Sequence, residues 1–187
     1  MKFFKILILI FISLTTSIKA DLNKKLIEKL DEGGKIIFIR HAYAPGGGDP
    51  NNFNLSDCST QRNLSKEGRE QAKLIGKFFK ENHIKIDRVL SSEWCRCKET
   101  AKIAFKDFTT SNFLNSFYDP LYQKNKNKQI KELNNYIETL KTNGNLILVT
   151  HYVLISEVLN YNSSSGEIVV SDKKFNVIGN IKINYWI

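Results

Sequence analysis

The stretch Ile36-Ile37-Phe38-Ile39-Arg40-His41-Ala42 decides the fold. Four apolar residues in a row, bounded by Lys35 and Arg40, read as a strand buried on both faces, and a histidine follows it at once. A second strand-like run, Asn145-Leu146-Ile147-Leu148-Val149-Thr150, ends directly on His151. Open α/β sheets place their ligand sites outside the carboxyl ends of the strands. The chain has only three histidines, so two of them in matching positions mark a site. The third, His83, reads as solvated at a helix end.

Outward from these runs, strand-like and helix-like segments alternate in the manner of a parallel α/β sheet. Leu22 to Leu30 reads as a short amphipathic helix ended by Gly33-Gly34. After the strand Lys35 to Arg40 comes a long polar segment, Ala44 to Arg62, of a length that in a compact domain points to function or to poor order. Ser65 reads as the N-cap of a helix running to about Asn82, with Ala72, Ile75, Phe78 and Phe79 on its apolar face. Arg88-Val89-Leu90 is a short strand ending at Ser91-Ser92, and Glu93 to Phe105 is a second helix. Phe113 to Tyr118 is irregular or strand-like, Asn127 to Leu140 is helical, and the strand Asn145 to Thr150 leads through His151 into a helix from Val153 to Leu159. Glu167 to Val170 and Lys174 to Ile183 alternate around Asp172-Lys173 as a closing antiparallel hairpin. The expected fold is an α/β three-layer sandwich with a mostly parallel central sheet.

The chain of 187 residues suits one domain with a proper core. Residues 1–20 have the form of a secretory signal, with basic Lys2 and Lys5, an apolar stretch from Ile6 to Leu14, and a polar end reaching Ala20. The apolar stretch is well short of the roughly 20 residues that span a bilayer. The expectation is therefore cleavage, a single domain over 21–187, and a periplasmic or secreted protein. The full chain carries +9; cleavage removes three lysines and leaves +6, which suits an anionic substrate. Its lysines are spread along the chain with no arginine-rich helix or aromatic-basic stripe, so nucleic acid is not the expected partner. Lys124-Asn125-Lys126-Asn127-Lys128 reads as a solvated loop. Cys58, Cys95 and Cys97 all lie in the mature region, where an oxidising compartment favours a disulfide from Cys58 to Cys95 or Cys97; the alternative is three buried free thiols. The Cys95-Arg96-Cys97 spacing fits neither a CxxC redox motif nor a zinc knuckle.

The series Arg40-His41, then Leu64-Ser65 with Gly68 and Gln71-Ala72, then Ser91-Ser92 with Arg96 and Thr100-Ala101, then Thr150-His151 resembles the histidine phosphatase superfamily, the phosphoglycerate-mutase-like fold. The resemblance runs from about Lys35 to Leu159, and within the superfamily it is greatest to small secreted bacterial members similar to lipopolysaccharide core heptose-phosphate phosphatases. It implies that His41 is a nucleophile forming a phosphohistidine, that Arg40 and Arg96 grip phosphate oxygens, that His151 contacts the transferring group, and, more loosely, that Arg62 comes near the phosphate. The positive charge would come from these side chains, with no metal and no cofactor. The partner implied is a small phosphate ester or an envelope phosphosugar.

Two departures stand out. Ala42 occupies the place where the family usually has glycine. The general acid that protonates the leaving oxygen is also unassigned, because His151 is followed by Tyr152-Val153-Leu154 with no acid. Asp119, in Phe117-Tyr118-Asp119-Pro120, is the first candidate, against a turn-forming role before proline; Asp49 and Asp57 of the long loop are the others. Without a carboxylate in the pocket, the protein would depend on good leaving groups, or would bind phosphorylated ligands without turnover.

Overall fold

A computed structural model describes residues 23–184. The expected secretory signal lies outside the described residues. Helix α1 covers residues 23–31. It is followed by β1 (Ile36–Arg40), α2 (Lys66–Glu81), β2 (Ile86–Ser91), α3 (Cys95–Phe105), β3 (Thr109–Thr110), α4 (Pro120–Gln123), α5 (Lys126–Thr139), β4 (Asn145–Thr150), α6 (Tyr152–Leu159), β5 (Ile168–Ser171) and β6 (Val177–Ile181). No described helix is long and apolar enough to cross a membrane.

One six-stranded sheet in the order β3-β2-β4-β1-β5-β6 organises the molecule. Neighbours β2·β3, β2·β4 and β1·β4 are parallel, whereas β1·β5 and β5·β6 are antiparallel. The hairpin expected around Asp172-Lys173 is thus the β5–β6 edge. All six residues of β4 and the four apolar residues of β1 are buried. Strand side chains alternate between faces, and the two faces feed two cores. Ile37, Ile39, Ile147, Val149 and Val170 pack with Leu30, Ile75, Phe79 and Ala101 of α1, α2 and α3. Ile36, Phe38, Leu146, Leu148 and Val169 pack with Leu133, Ile137, Leu154 and Ile155 of α5 and α6. Helices therefore cover both faces of the sheet, as the run at 36–39 foretold.

Local chemistry sets the element ends. Ser65 accepts a hydrogen bond from the Gly68 amide and caps α2, as its position before the apolar periodicity indicated. The chain leaves α1 through Gly33 at φ 74°, where an added Cβ would lie 2.2 Å from Asn143 O; only glycine fits that approach. Buried Asn145 donates to Leu30 O and Lys85 O and accepts from the Lys35 amide, tying α1 and the starts of β1, β2 and β4 together.

Some elements depart from the sequence reading. β3 has two residues and exists only through pairing with Leu90 and Ser91, so no local pattern announces it. Phe113 to Tyr118, by contrast, is irregular, one of the two readings made for it, with a 3₁₀ turn at Asn112–Leu114 leading into it. One-turn α4 begins on Pro120 with Asp119 as its cap, an arrangement that suits the fixed φ of proline. The lysine run expected as a loop opens α5 at Lys126, whose Nζ lies 3.0 Å from Glu157.

Cys58 and Cys95 form a disulfide with Cα atoms 5.7 Å apart, and Cys97 is buried and free. The bond anchors the 44–62 loop to the first turn of α3 and closes a span of 37 residues. Closing a loop of that length stabilises by about 4 kcal/mol on the chain-entropy account. Replacing Cys58→Ser is expected to lower the unfolding free energy by about 2–4 kcal/mol, read by denaturant titration; an unchanged midpoint would show that the loop is held without the bond.

Candidate active site

The register of the two central strands brings the histidines together. Arg40 pairs with Thr150 across β1 and β4, and the His41 amide donates to Thr150 O at 2.9 Å. The rings of His41 and His151 are 5.6 Å apart, edge to face. His41 Nδ1 lies 2.8 Å from Ala42 O. A carbonyl only accepts, so Nδ1 carries the hydrogen and Nε2 keeps its lone pair. His151 Nε2 is bonded to Ser92 Oγ at 2.8 Å, which leaves Nδ1 as the ring nitrogen open to a ligand.

Burial, then the charge of Arg96 and of the other two arginines, push both histidines well below the ordinary imidazole value, although the Ala42 carbonyl pulls His41 up. Both are therefore neutral at mildly acid pH. Cys97, 3.4 Å from His151 Nε2, has its thiol pushed up to about 12 by burial. It stays a neutral thiol beside the site.

The segment after the nucleophile candidate is held from three directions. The Ala42 amide donates to Thr100 Oγ1 at 3.0 Å, the Tyr43 amide to Gln71 Oε1 at 2.9 Å, and the Ser65 amide to Tyr43 O. Gln71 also donates to Ser165 O and Ile183 O. Helix α2 runs so close that a Cβ on Gly68 would sit 2.0 Å from Tyr43 O. The spacing of Gly68, Gln71 and Thr100 thus has a direct physical reading, since each touches residues 42–43. Ala42 is fully buried and does not need the left-handed backbone that favours glycine. Alanine is accommodated there.

Arg40, Arg62 and Arg96 line one cavity of about 690 Å³ together with His41 and His151. Arg40 Nη1 donates to Ser163 O, and its guanidinium lies 5.6 Å over the Tyr152 ring. Arg62 donates from Nε to Gly48 O and from Nη1 to Ala44 O, so it also braces the glycine-rich loop. Arg96, on the first turn of α3, is almost fully buried. The Nε atoms of Arg40 and Arg96 are buried donors without a partner among the described residues. Leaving such donors unsatisfied is costly, and a phosphoryl oxygen is a fitting acceptor.

The three sequence candidates for the acid separate clearly. Asp57 caps the 3₁₀ turn Cys58–Thr60. Asp119 lines the cavity mouth, exposed, with Oδ1 accepting from the Leu121 amide; it caps the turn with one oxygen and stays beside the site. Asp49 has a role that no local pattern signals. It takes both Arg96 Nη atoms, at 2.7 and 3.1 Å, and also accepts from the Arg62 amide and the Trp94 indole. Burial alone would push its carboxyl up, but these donors hold it below the usual value. Three glycines, Gly46 to Gly48, precede it, and Gly46 and Gly48 take the positive φ, 87° and 69°, that favours glycine. His83, expected to be solvated, lies just past the end of α2 away from the cavity.

Residues 36–113 match the model of the histidine phosphatase superfamily, branch 1. No match was found among curated proteins. Solved structures with a similar fold include the protein histidine phosphatase SixA complexed with tungstate (16% identity over 79% of this chain and 96% of that one, TM-score 0.52). Phosphoglycerate mutase from Thermus thermophilus is similar at 16% identity (80% and 99% covered, TM-score 0.52). A phosphoserine phosphatase variant from Entamoeba histolytica in complex with phosphoserine is similar at 14% identity (82% and 99%, TM-score 0.55). At these identities the structural likeness establishes the fold, which is phosphoglycerate-mutase-like.

Two measurements follow from this geometry. NMR of the imidazole rings should show His41 and His151 neutral through pH 6.5, where a solvated histidine titrates. Because the unfolded chain binds those protons and the folded one does not, stability is fully present above that pH and declines as pH falls below it; a ring titrating at or above 6.5 would contradict the account. Gly68→Ala should cost about 1–3 kcal/mol through overpacking against Tyr43 and lower kcat/KM further than that loss explains, since residues 42–43 must shift. Full activity in the variant would show that the approach carries no positional role.

Proposed function

We propose that this protein belongs to the histidine phosphatase superfamily and is a metal-independent phosphomonoesterase working through a phosphohistidine on His41. The observation that carries the reading is the meeting, in one cavity, of a neutral His41 whose Nε2 lone pair is set by the Ala42 carbonyl with two buried, unpartnered arginine donors. Nε2 attacks phosphorus, the N–P bond forms, and the P–O bond breaks with its electron pair going to the leaving oxygen. Arg40, Arg96 and, less directly, Arg62 neutralise the oxygens of the transferring group. His151 adds a contact through Nδ1. A water then attacks phosphorus, the N–P bond breaks with its electron pair returning to Nε2, and the water's proton passes to solvent, which splits one difficult hydrolysis into two easier steps.

A disulfide joining the arginine-bearing segments, together with the expected secretory signal, supports an extracytoplasmic workplace. Substrates would be small organic phosphates outside the cytoplasm. Phosphate release from p-nitrophenyl phosphate by the mature protein in EDTA, with His41→Ala in parallel, tests the proposal. Activity that survives chelation and falls by at least about a thousandfold in the variant is expected. Loss of activity on chelation, or a variant as active as the parent, would overturn it.

A further inference from the structure

Arg96 enters the cavity with its donors unevenly committed. A guanidinium carries five N–H groups in one plane. The two Nη atoms take Asp49 end-on, at 2.7 Å to Oδ1 and 3.1 Å to Oδ2, and Nη1 gives its second hydrogen to Arg62 O at 3.3 Å. What remains is Nε–H, buried and without a partner among the described residues, with the second Nη2 hydrogen beside it on the same edge. Two such hydrogens form a parallel pair of the kind that takes two oxygens of one anion. Arg96 is almost fully buried, so leaving that edge unused is costly.

Asp49 is itself fixed from several sides. Oδ1 accepts from Arg96 Nη1 and the Arg62 amide, and Oδ2 from Arg96 Nη2 and the Trp94 indole. Trp94 and Arg96 stand at the start of α3, on either side of the Cys95 that is bonded to Cys58. Arg62 braces the same loop through Gly48 O and Ala44 O. The carboxylate therefore has one place to be, and a guanidinium gripped at both Nη atoms cannot swing. A carboxylate on an arginine fork could instead stand in for substrate and leave when phosphate arrives. Here that departure would strand the Trp94 indole and the Arg62 amide as donors without an acceptor, whereas the Nε edge takes phosphate with no existing bond broken.

We infer that Asp49 is a positioning residue for phosphoryl transfer: it holds Arg96 by its Nη end so that the Nε edge is presented to the phosphoryl oxygens at His41. The inference rests on the phosphohistidine reading above. Asp49 touches neither substrate nor His41 in this arrangement and acts through Arg96 alone. Its charge also offsets the repulsion between the Arg96 and Arg62 guanidinium groups, which together with burial draws Arg62 below its ordinary value.

The test is a double-mutant cycle on p-nitrophenyl phosphate. Asp49→Asn keeps one acceptor oxygen for the loop but replaces the other with a donor, so the two-point grip on Arg96 is lost. Its kcat should fall about tenfold or more, since a small misplacement of a positioned group costs up to about a hundredfold. In an Arg96→Lys background, which has no fork to orient, the same change should cost less than about twofold, the coupling expected when one residue acts through another. Equal costs in the two backgrounds would show that Asp49 only anchors the loop, and would overturn the inference. A second measurement needs no variant to fold. On adding inorganic phosphate to the parent protein, the Arg96 Nε–H resonance should shift while the Trp94 indole N–H, bonded to Asp49, stays protected from solvent exchange. An indole that loses protection as phosphate binds would show Asp49 displaced, and would equally overturn the inference. A parent that binds phosphate on the Arg96 edge yet releases none from the ester would overturn the phosphohistidine reading and leave the Asp49–Arg96 arrangement standing.

Discussion

The parallel pairing of β1 with β4 is the constraint on which the rest depends. It sets Arg40 against Thr150 and so brings two histidines, 110 residues apart in the chain, to ring contact. A slip of one residue would turn every side chain of a strand to the opposite face, exchanging the Ile37–Ile39 core for the Ile36–Phe38 core. Burial on both sides of the sheet therefore fixes the register. The hydrophobic layers and the chemistry are specified by one alignment.

Around that alignment, the protein spends its buried polar groups on holding short stretches of backbone. Thr100, Gln71 and Gly68 converge on residues 42–43, and the carbonyl of Ala42 selects the His41 tautomer. Burial and positive neighbours keep the imidazole neutral, the form a nucleophile needs. The 44–62 loop is secured in the same spirit, by the Cys58–Cys95 bond and by Arg62 reaching Gly48 and Ala44. A segment of that length without regular strands or α-helix would otherwise be mobile; here it forms one wall of the cavity.

Much of this was legible in the sequence. The apolar runs at 36–39 and 145–150 named the central strands and the histidines at their ends, the Ser65 cap named the start of α2, and the resemblance to the histidine phosphatase superfamily implied Arg40, Arg96 and, more loosely, Arg62, which share one cavity with both histidines. Local signals of this kind act over a few residues and survive without coordinates. What stayed hidden depends on distant chain segments meeting. β3 exists because Thr109 and Thr110 lie beside Leu90 and Ser91. The Asp49–Arg96 pair spans 47 residues and one disulfide loop. Cys58 could have reached either neighbour of Arg96, and the direction of the α3 first turn decides for Cys95, while Cys97 faces inward. Asp119 illustrates the same point: Asp-Pro announced a turn, and only the folded chain shows that the capped carboxylate also stands at the cavity mouth.

Trapping the covalent intermediate tests the central claim most directly. The mature protein is mixed rapidly with p-nitrophenyl phosphate, quenched in base, where phosphohistidine survives, and digested for mass spectrometry. The account predicts phosphate on the peptide bearing His41 and none on that bearing His151. Phosphate on His151, or turnover with no phosphorylated peptide at any quench time, would contradict it.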